Sequence, residues 1–348
     1  MRNNSVNWFV RVLIVASFPM VTALSPFAFA GEANGYVIYV SNERSGDVTI
    51  IDGATDTVIA TIAVGKRPRG IHGSPDGRRT YVVLSGSPRM APGVDENRAP
   101  ADKTADGLAV IDVSTNKLVE KWHVGSDPEQ FALSKDGALA FIANEDDASA
   151  SIIDLTNGQS RGKVKVAPEP EGVGVNPATG EVYVTSEETG EVFIIAPNQQ
   201  RVLGTIAVGG RPRSVAFLPD GSRAYVACES AGYVSVIETN ARKLLNKIQL
   251  VQASLPMGTA VSADGKEIYV TTGRGNSVAV IDSSSNNVAA MIPVGGRAWG
   301  VALSPDGSKL YTANGATNDI SVVDVKARKE LKRVKVGDGP WGVAIIPQ

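Results

Sequence analysis

Cysteine and histidine are scarce in this chain of 348 residues: Cys228 stands alone, and the only histidines are His72 and His123. One cysteine excludes an intrachain disulfide. No Cys-x-x-Cys-His for covalent haem occurs, and no Gly-x-Ser-x-Gly nucleophile turn, Walker loop or His-Glu-x-x-His motif. Charge of one sign is also missing. With 34 basic and 36 acidic residues there is no concentrated basic excess of the kind a nucleic-acid partner requires. Long apolar runs are absent as well. The longest near the start, Val12 to Phe18, is too short to span a bilayer and is followed by Pro19. With Arg2 and Arg11 around it and Ala28-Phe29-Ala30 after it, it has the form of a cleaved export signal over residues 1–30, which implies a periplasmic product. Its removal takes two arginines and no acids from a chain of net charge −2, leaving −4.

What the chain has in abundance is repetition. The pair Ile51-Asp52 recurs at Ile111-Asp112, Ile153-Asp154 and Ile281-Asp282, with variants Ile195-Ala196, Ile237-Glu238 and Val323-Asp324. The intervals are 60, 42, 42, 42, 44 and 42 residues, and Val64-Gly65 and its counterparts keep the same intervals. Seven copies of a 42-residue unit therefore fill residues 31–348. Each unit holds four short β-branched runs bounded by Gly, Asn, Asp or Pro, with no room for a helical stripe. This predicts an all-β fold: a seven-bladed β-propeller of four-stranded antiparallel blades. The first copy starts at Tyr36 on a second strand and the last ends on a first strand. The C-terminal strand is therefore expected to complete the N-terminal blade and hide its edge.

The repeated strands Tyr39-Val40-Ser41-Asn42, Tyr183-Val184-Thr185-Ser186 and Tyr269-Val270-Thr271-Thr272, followed by "VSVID"-like and "PDG" segments, resemble the YVTN family of propeller repeats. A finer resemblance is carried by "GSDPEQFALSKDG" (Gly125 to Gly137), "ANEDDASASIIDL" (Ala143 to Leu155), "PEPEGVGV" (Pro168 to Val175), "TTGRGNSVAVID" (Thr271 to Asp282) and "YTANGATNDISVVD" (Tyr311 to Asp324). These are similar to exported propellers associated with alcohol catabolism dependent on pyrroloquinoline quinone (PQQ). That resemblance implies an accessory role beside a quinoprotein dehydrogenase or an ABC transporter component, and supplies no catalytic residues.

Function must lie where the copies differ, because a phrase repeated seven times is scaffold. Both length changes fall in loops of one propeller face: an 18-residue insertion, about residues 86–106, and two extra residues between Leu250 and Pro256. The insertion's Asp95, Asn97, Asp102 and Asp106 lack the spacing of a calcium loop, and no metal is expected. On the same face each return loop places one variable residue at the channel mouth: Arg69, Glu129, Glu171, Arg213, Met257, Trp299 and Trp341. The corner after each second strand adds Glu43, Glu145, Glu187 and Glu229, with Arg274 one place later in its copy. This mouth is the expected binding site for a ligand or partner protein. With no recognisable catalytic constellation, the expected role is a non-catalytic, monomeric accessory propeller without cofactor. The alternative is an enzyme. Seven-bladed lactonases resemble this architecture, as do a haem-bearing nitrite reductase propeller and the large subunit of amine dehydrogenase. A lactonase or isomerase would use Glu129, Glu171, Arg69 or Arg213 as acid, base and anion clamp. A cofactor-carrying component would have His72, on an inner strand, as its only candidate ligand.

Overall fold

The computed structural model describes Met1 and residues 35–88, 100–251 and 254–348. The expected export signal and the centre of the insertion, with Asp95 and Asn97, lie outside the described residues. From Tyr36 onward, strands group into seven four-stranded antiparallel sheets, as the repeat predicted. The second and third strands of each blade read as apolar almost without interruption because neighbouring blades cover both their faces. In blade 1, Ile38, Tyr39, Val40, Ile50 and Ile51 are all fully buried. The outer strands face water and carry lysine instead, as in Lys329–Lys335, which keeps their open edges from recruiting other chains.

The inner strands are Pro68–Gly73, Pro128–Leu133, Pro170–Val175, Pro212–Phe217, Thr259–Val261, Ala298–Leu303 and Pro340–Pro347. Each touches the next, and the last touches the first, so they ring a central channel. Between inner and second strands lie the "PDG" turns. Gly77 and Gly307 sit at φ +70 and +69, and the preceding aspartate receives the Ser74 or Ser304 hydroxyl at 2.5 and 2.6 Å. A side chain at such a glycine would meet the strain of a left-handed backbone.

Closure occurs as expected: Pro340–Pro347 pairs antiparallel with Tyr36–Asn42, with Ile346 opposite Val37 and Ala344 opposite Tyr39. A second bonding system joins blade to blade. The repeat tyrosine of one second strand donates to the turn between third and outer strands of the next blade: Tyr39 to Asn116 (2.7 Å), Tyr225 to Asn286 (3.2 Å) and Tyr311 to Asp56 (3.1 Å). All three acceptors have positive φ, 53, 55 and 50°, which Asn and Asp tolerate better than other side chains. Where that turn position is arginine, the link changes partner: Arg242 reaches Glu181 at 2.7 Å and Arg328 reaches Glu267 at 2.9 Å.

The latch at the closing seam is the most heavily charged. Asp56 of blade 1 is buried and accepts Lys309 Nζ of blade 7 at 2.9 Å, with Lys332 at 3.3 Å and the Tyr311 hydroxyl beside it. Replacing Asp56 by Ala removes the carboxylate shared by two lysines and the buried Tyr311 hydroxyl. We expect a loss of about 2–3 kcal/mol in urea unfolding, the usual cost of stranding buried polar partners. An unchanged unfolding midpoint would show that the strand pairing closes the ring unaided.

Candidate active site

The return loop from each outer strand and the corner between second and third strands meet on one face, joined by a repeated backbone bond. The amides of Glu145, Glu187 and Glu229 donate to the carbonyls of Asp127, Glu169 and Arg211, each at 2.9 Å, and Gly315 donates to Arg297 at 3.0 Å. Every carbonyl in this set belongs to a non-glycine residue with positive φ: Asp127 (52°), Glu169 (51°), Arg211 (50°) and Arg297 (55°); Arg67 has the same conformation at 42°. Long side chains held in that region at repeat-equivalent places are strain concentrated where the copies vary, a pattern associated with functional sites. The left-handed kink turns the loop so that the residue two places on starts the inner strand facing the channel mouth.

All twelve residues expected at the site line a single cavity of about 1330 Å³ at this mouth. The structure brings together Arg69, Glu129, Glu171, Arg213, Met257, Trp299, Trp341, Glu43, Glu145, Glu187, Glu229 and Arg274, as the repeat register predicts. The register prediction missed the kinked residues Arg67, Asp127, Glu169, Arg211 and Arg297, which also line the cavity. Their signal was available: they lie two positions before the residues identified, in the same loops, and are charged in five copies.

Two arginine-centred clusters divide one side of the mouth. Arg69 is ion-paired with Glu129 of the next blade and lies 3.2 Å from Glu43. Arg67 lies 3.4 Å from Glu43, 4.0 Å from Asp127, and donates to the Ser87 carbonyl at 2.6 Å. Arg213 is ion-paired with Glu187 and reaches Glu171 at 3.2 Å and Glu229 at 2.6 Å. Burial opposes the charge on both Arg69 and Arg213, but the surrounding carboxylates outweigh it and hold both cationic. Opposite stand Trp299 and Trp341, stacked with centroids 5.8 Å apart and planes 25° apart. Arg297 and Arg213 lie over the Trp299 ring at 4.9 and 5.8 Å, so this indole is a packed wall rather than an open stacking platform.

Carboxylates outnumber arginines in both clusters, and two of them titrate accordingly. Burial, then the charge of Asp127, pushes Glu145 up to about 7. Burial raises Glu171 to about 8 despite Arg213, with Glu187 adding to the rise. Asp127 moves the other way: Arg69 and the Ser85 hydroxyl overcome its burial and keep it below the usual range. Glu145 is half-buried at the cavity wall and forms no ion pair with any described residue, so it is the carboxylate most free to meet a ligand. Asp127, Glu129 and Glu145 each offer an oxygen within 4.8 Å of the others, but Asp127 and Glu129 are already ion-paired with Arg67 and Arg69 and we assign no metal there.

His72 does not join the site. It lies farther along its inner strand, edge-on to Phe131 at 4.8 Å, and burial among protein groups lowers its pKa to about 4 although its edge is open to the channel. Its neutral imidazole is explained by packing on the aromatic ring of the adjacent blade. Cys228 is a packed strand-end residue, its thiol pushed up to about 11 by burial.

The model of the family described as "Lactonase, 7-bladed beta-propeller" matches residues 182–338, less than half of the chain. That span carries Arg211, Arg213, Glu187, Glu229, Met257 and Trp299, and excludes the Arg69 cluster. No curated protein matches the chain. Among solved structures, the periplasmic gluconolactonase of Pseudomonas aeruginosa is 21% identical, with a TM-score of 0.71 over 90% of this chain and 99% of that one. A candidate 6-phosphogluconolactonase of Bacteroides uniformis is 18% identical, with a TM-score of 0.73 over 90% and 100%. Kuenenia stuttgartiensis hydrazine synthase is 22% identical, with a TM-score of 0.71 over 82% and 92%. These likenesses show the fold. The expectation of a non-catalytic accessory propeller is nevertheless overturned: the matching family is one of lactonases, and two similar structures carry lactonase names. The charged groups of this mouth are spread over separate blades and form no motif that is local in sequence.

The raised Glu171 carries a consequence for stability. Its folded-state pKa lies above its unfolded value near 4.5, so between the two the native protein holds a proton that the unfolded chain has released. Stability from this group is complete below about pH 4.5 and is lost as pH rises through about 8, with Glu145 acting in the same direction. Thermal melts of Glu171→Gln against wild type from pH 5 to 9 are expected to show a flatter pH dependence in the variant. Parallel curves would refute the assignment.

Proposed function

We propose that the mouth cavity hydrolyses a small, hydroxyl-rich lactone. The observation that carries this reading is Glu145: a solvent-reachable carboxylate poised near neutrality beside the Arg69 guanidinium, in a propeller that matches a lactonase family over its second half. A general base works best when its pKa lies near the working pH. The cavity wall, alternating carboxylates and guanidinium groups, suits a ligand dense in hydroxyls.

In the proposed reaction, Glu145 removes a proton from water as the water oxygen attacks the lactone carbonyl. Arg69 faces the oxyanion that forms, and Glu129 and Glu43 hold that guanidinium in place. Collapse of the tetrahedral species breaks the ring C–O bond, and the leaving ring oxygen takes the proton from Glu145. The product is the open-chain hydroxy acid, and the carboxylate is restored.

The expected export signal over residues 1–30 agrees with a periplasmic site of action. One chain builds the whole cavity, which supports a monomeric enzyme acting on a small molecule. The resemblance to PQQ-associated propellers agrees in one respect: oxidation of a cyclic hemiacetal by a dehydrogenase yields a lactone.

The test is a pH-stat assay over a panel of γ- and δ-lactones, each corrected for spontaneous opening. For a turned-over lactone, kcat/KM is expected to rise as pH increases through about 7, because the base must be ionised. Glu145→Gln is expected to lower kcat by roughly 10²–10⁴-fold and to abolish that rise. No rate above the spontaneous one across the panel would sink the proposal.

A further inference from the structure

The insertion occurs in one copy of the repeat only, yet its described ends are built into the mouth. Ser87, Pro88, Pro100, Ala101 and Lys103 line the cavity. Lys66 holds Asp102 at 2.7 Å, Lys103 is ion-paired with Asp146, and the two ends meet through the Asp102 amide and the Gly86 carbonyl at 2.9 Å. At the foot of this stem is Asp106, 3% exposed and not itself part of the cavity lining. One of its carboxylate oxygens accepts the Gly86 amide at 2.7 Å. The other accepts the Asp127 amide at 3.1 Å and the Ser126 hydroxyl at 3.4 Å. Asp127 is the kinked residue of its return loop, with φ 52°; Glu129 follows two places later and carries the ion pair to Arg69.

We propose that Asp106 is a positioning residue: by clamping the insertion stem to the return loop of blade 3, it sets where Asp127 and Glu129 stand, and so tunes the Glu145–Arg69 centre. The assignment rests on the lactonase reading for its kinetic meaning, but the geometry it claims does not. In blades 1, 3, 4 and 5 the corner residue after the second strand is a glutamate, whereas blade 2 has Ser85, whose hydroxyl is bonded to Asp127. Asp106 adds a second tie to the same loop, with one oxygen on the insertion stem and the other on the return loop. Neither oxygen can be dispensed with, since each serves a different segment.

Asp106→Asn keeps the size but turns one acceptor into a donor, which faces the Gly86 or Asp127 amide. Gly86→Ala disturbs the same stem without touching the carboxylate, because an added Cβ would lie 1.7 Å from the Asp102 carbonyl oxygen. The groups facing Glu145 are Asp127, Arg69, Glu187 and Glu169; of these, Asp127 adds most to its rise, after burial. Displacing Asp127 therefore moves Glu145 toward lower pH.

The measurement is the ¹³C NMR titration of the Glu145 side-chain carboxyl, assigned with Glu145→Gln, in wild type, Asp106→Asn and Gly86→Ala, with melting temperatures recorded for each. A downward shift of the Glu145 midpoint in a folded variant supports the clamp. An unmoved midpoint in both variants overturns it. Should Asp106→Asn fail to fold, the Gly86→Ala titration decides by the same criterion. Where lactone turnover is established, kcat/KM is expected to fall tenfold to a hundredfold, about the cost of misplacing a reacting group by ~1 Å, with its acid limb shifted in step. The titration stands without turnover, so a failed lactonase assay and a failed clamp give different results.

Discussion

Ring closure is the constraint on which the rest of this molecule depends. Seven twisted sheets can surround a channel only if the last inner strand finds its place, and that strand, Pro340–Pro347, pairs with residues some 300 positions away in the chain. The seam is then reinforced at its outer rim by Asp56 with Lys309 and Tyr311. Near the mouth it is held by the Ser41 hydroxyl, which accepts the Gly342 amide at 3.0 Å and donates to the Arg69 carbonyl at 2.5 Å. The same hydroxyl that closes the ring therefore also seats a residue of the site.

Once the ring is closed, each return loop has one way to reach its next inner strand. The left-handed kink at Arg67, Asp127, Glu169, Arg211 and Arg297 is made five times, with a side chain each time at a position glycine would fill more cheaply. Blade 1 does use glycine there, Gly339. The strain is repaid by charged groups converging on a shared space, where burial gives carboxylates and guanidinium groups strong mutual influence. An imbalance then becomes chemistry: with more carboxylates than arginines on one arc, some acids must hold their protons to neutral pH.

Divergence among the copies is distributed with a physical logic. Positions that contact the neighbouring blades keep their character, since Tyr39, Tyr183, Tyr225, Tyr269 and Tyr311 occupy equivalent places and all are fully buried or nearly so. Positions at the mouth turn their side chains to the shared cavity, and there glutamate, arginine, tryptophan and methionine replace each other. Gly315 shows how the two sets meet: a side chain there would come within 3.1 Å of the Trp299 ring, so a corner that carries glutamate elsewhere is bare where the indole needs room.

The sequence by itself determined the number of blades, their four-strand content, the closing pairing and the ring of mouth residues. It could do so because strand periodicity, turn chemistry and a constant repeat length are local properties written seven times. It also pointed to the wrong class of activity. A motif is a pattern close in sequence, whereas the charged groups that meet at the mouth, such as Arg69, Glu129 and Glu145, come from separate segments and carry no spacing that marks them. Only the tertiary structure decided which carboxylates are paired and which is left to titrate. Glu145 and Glu187 hold the same place in the repeat, yet Arg213 and Arg211 hold Glu187, and no described residue forms an ion pair with Glu145. That difference arises between blades, from the distance and burial of groups that the chain itself does not place side by side.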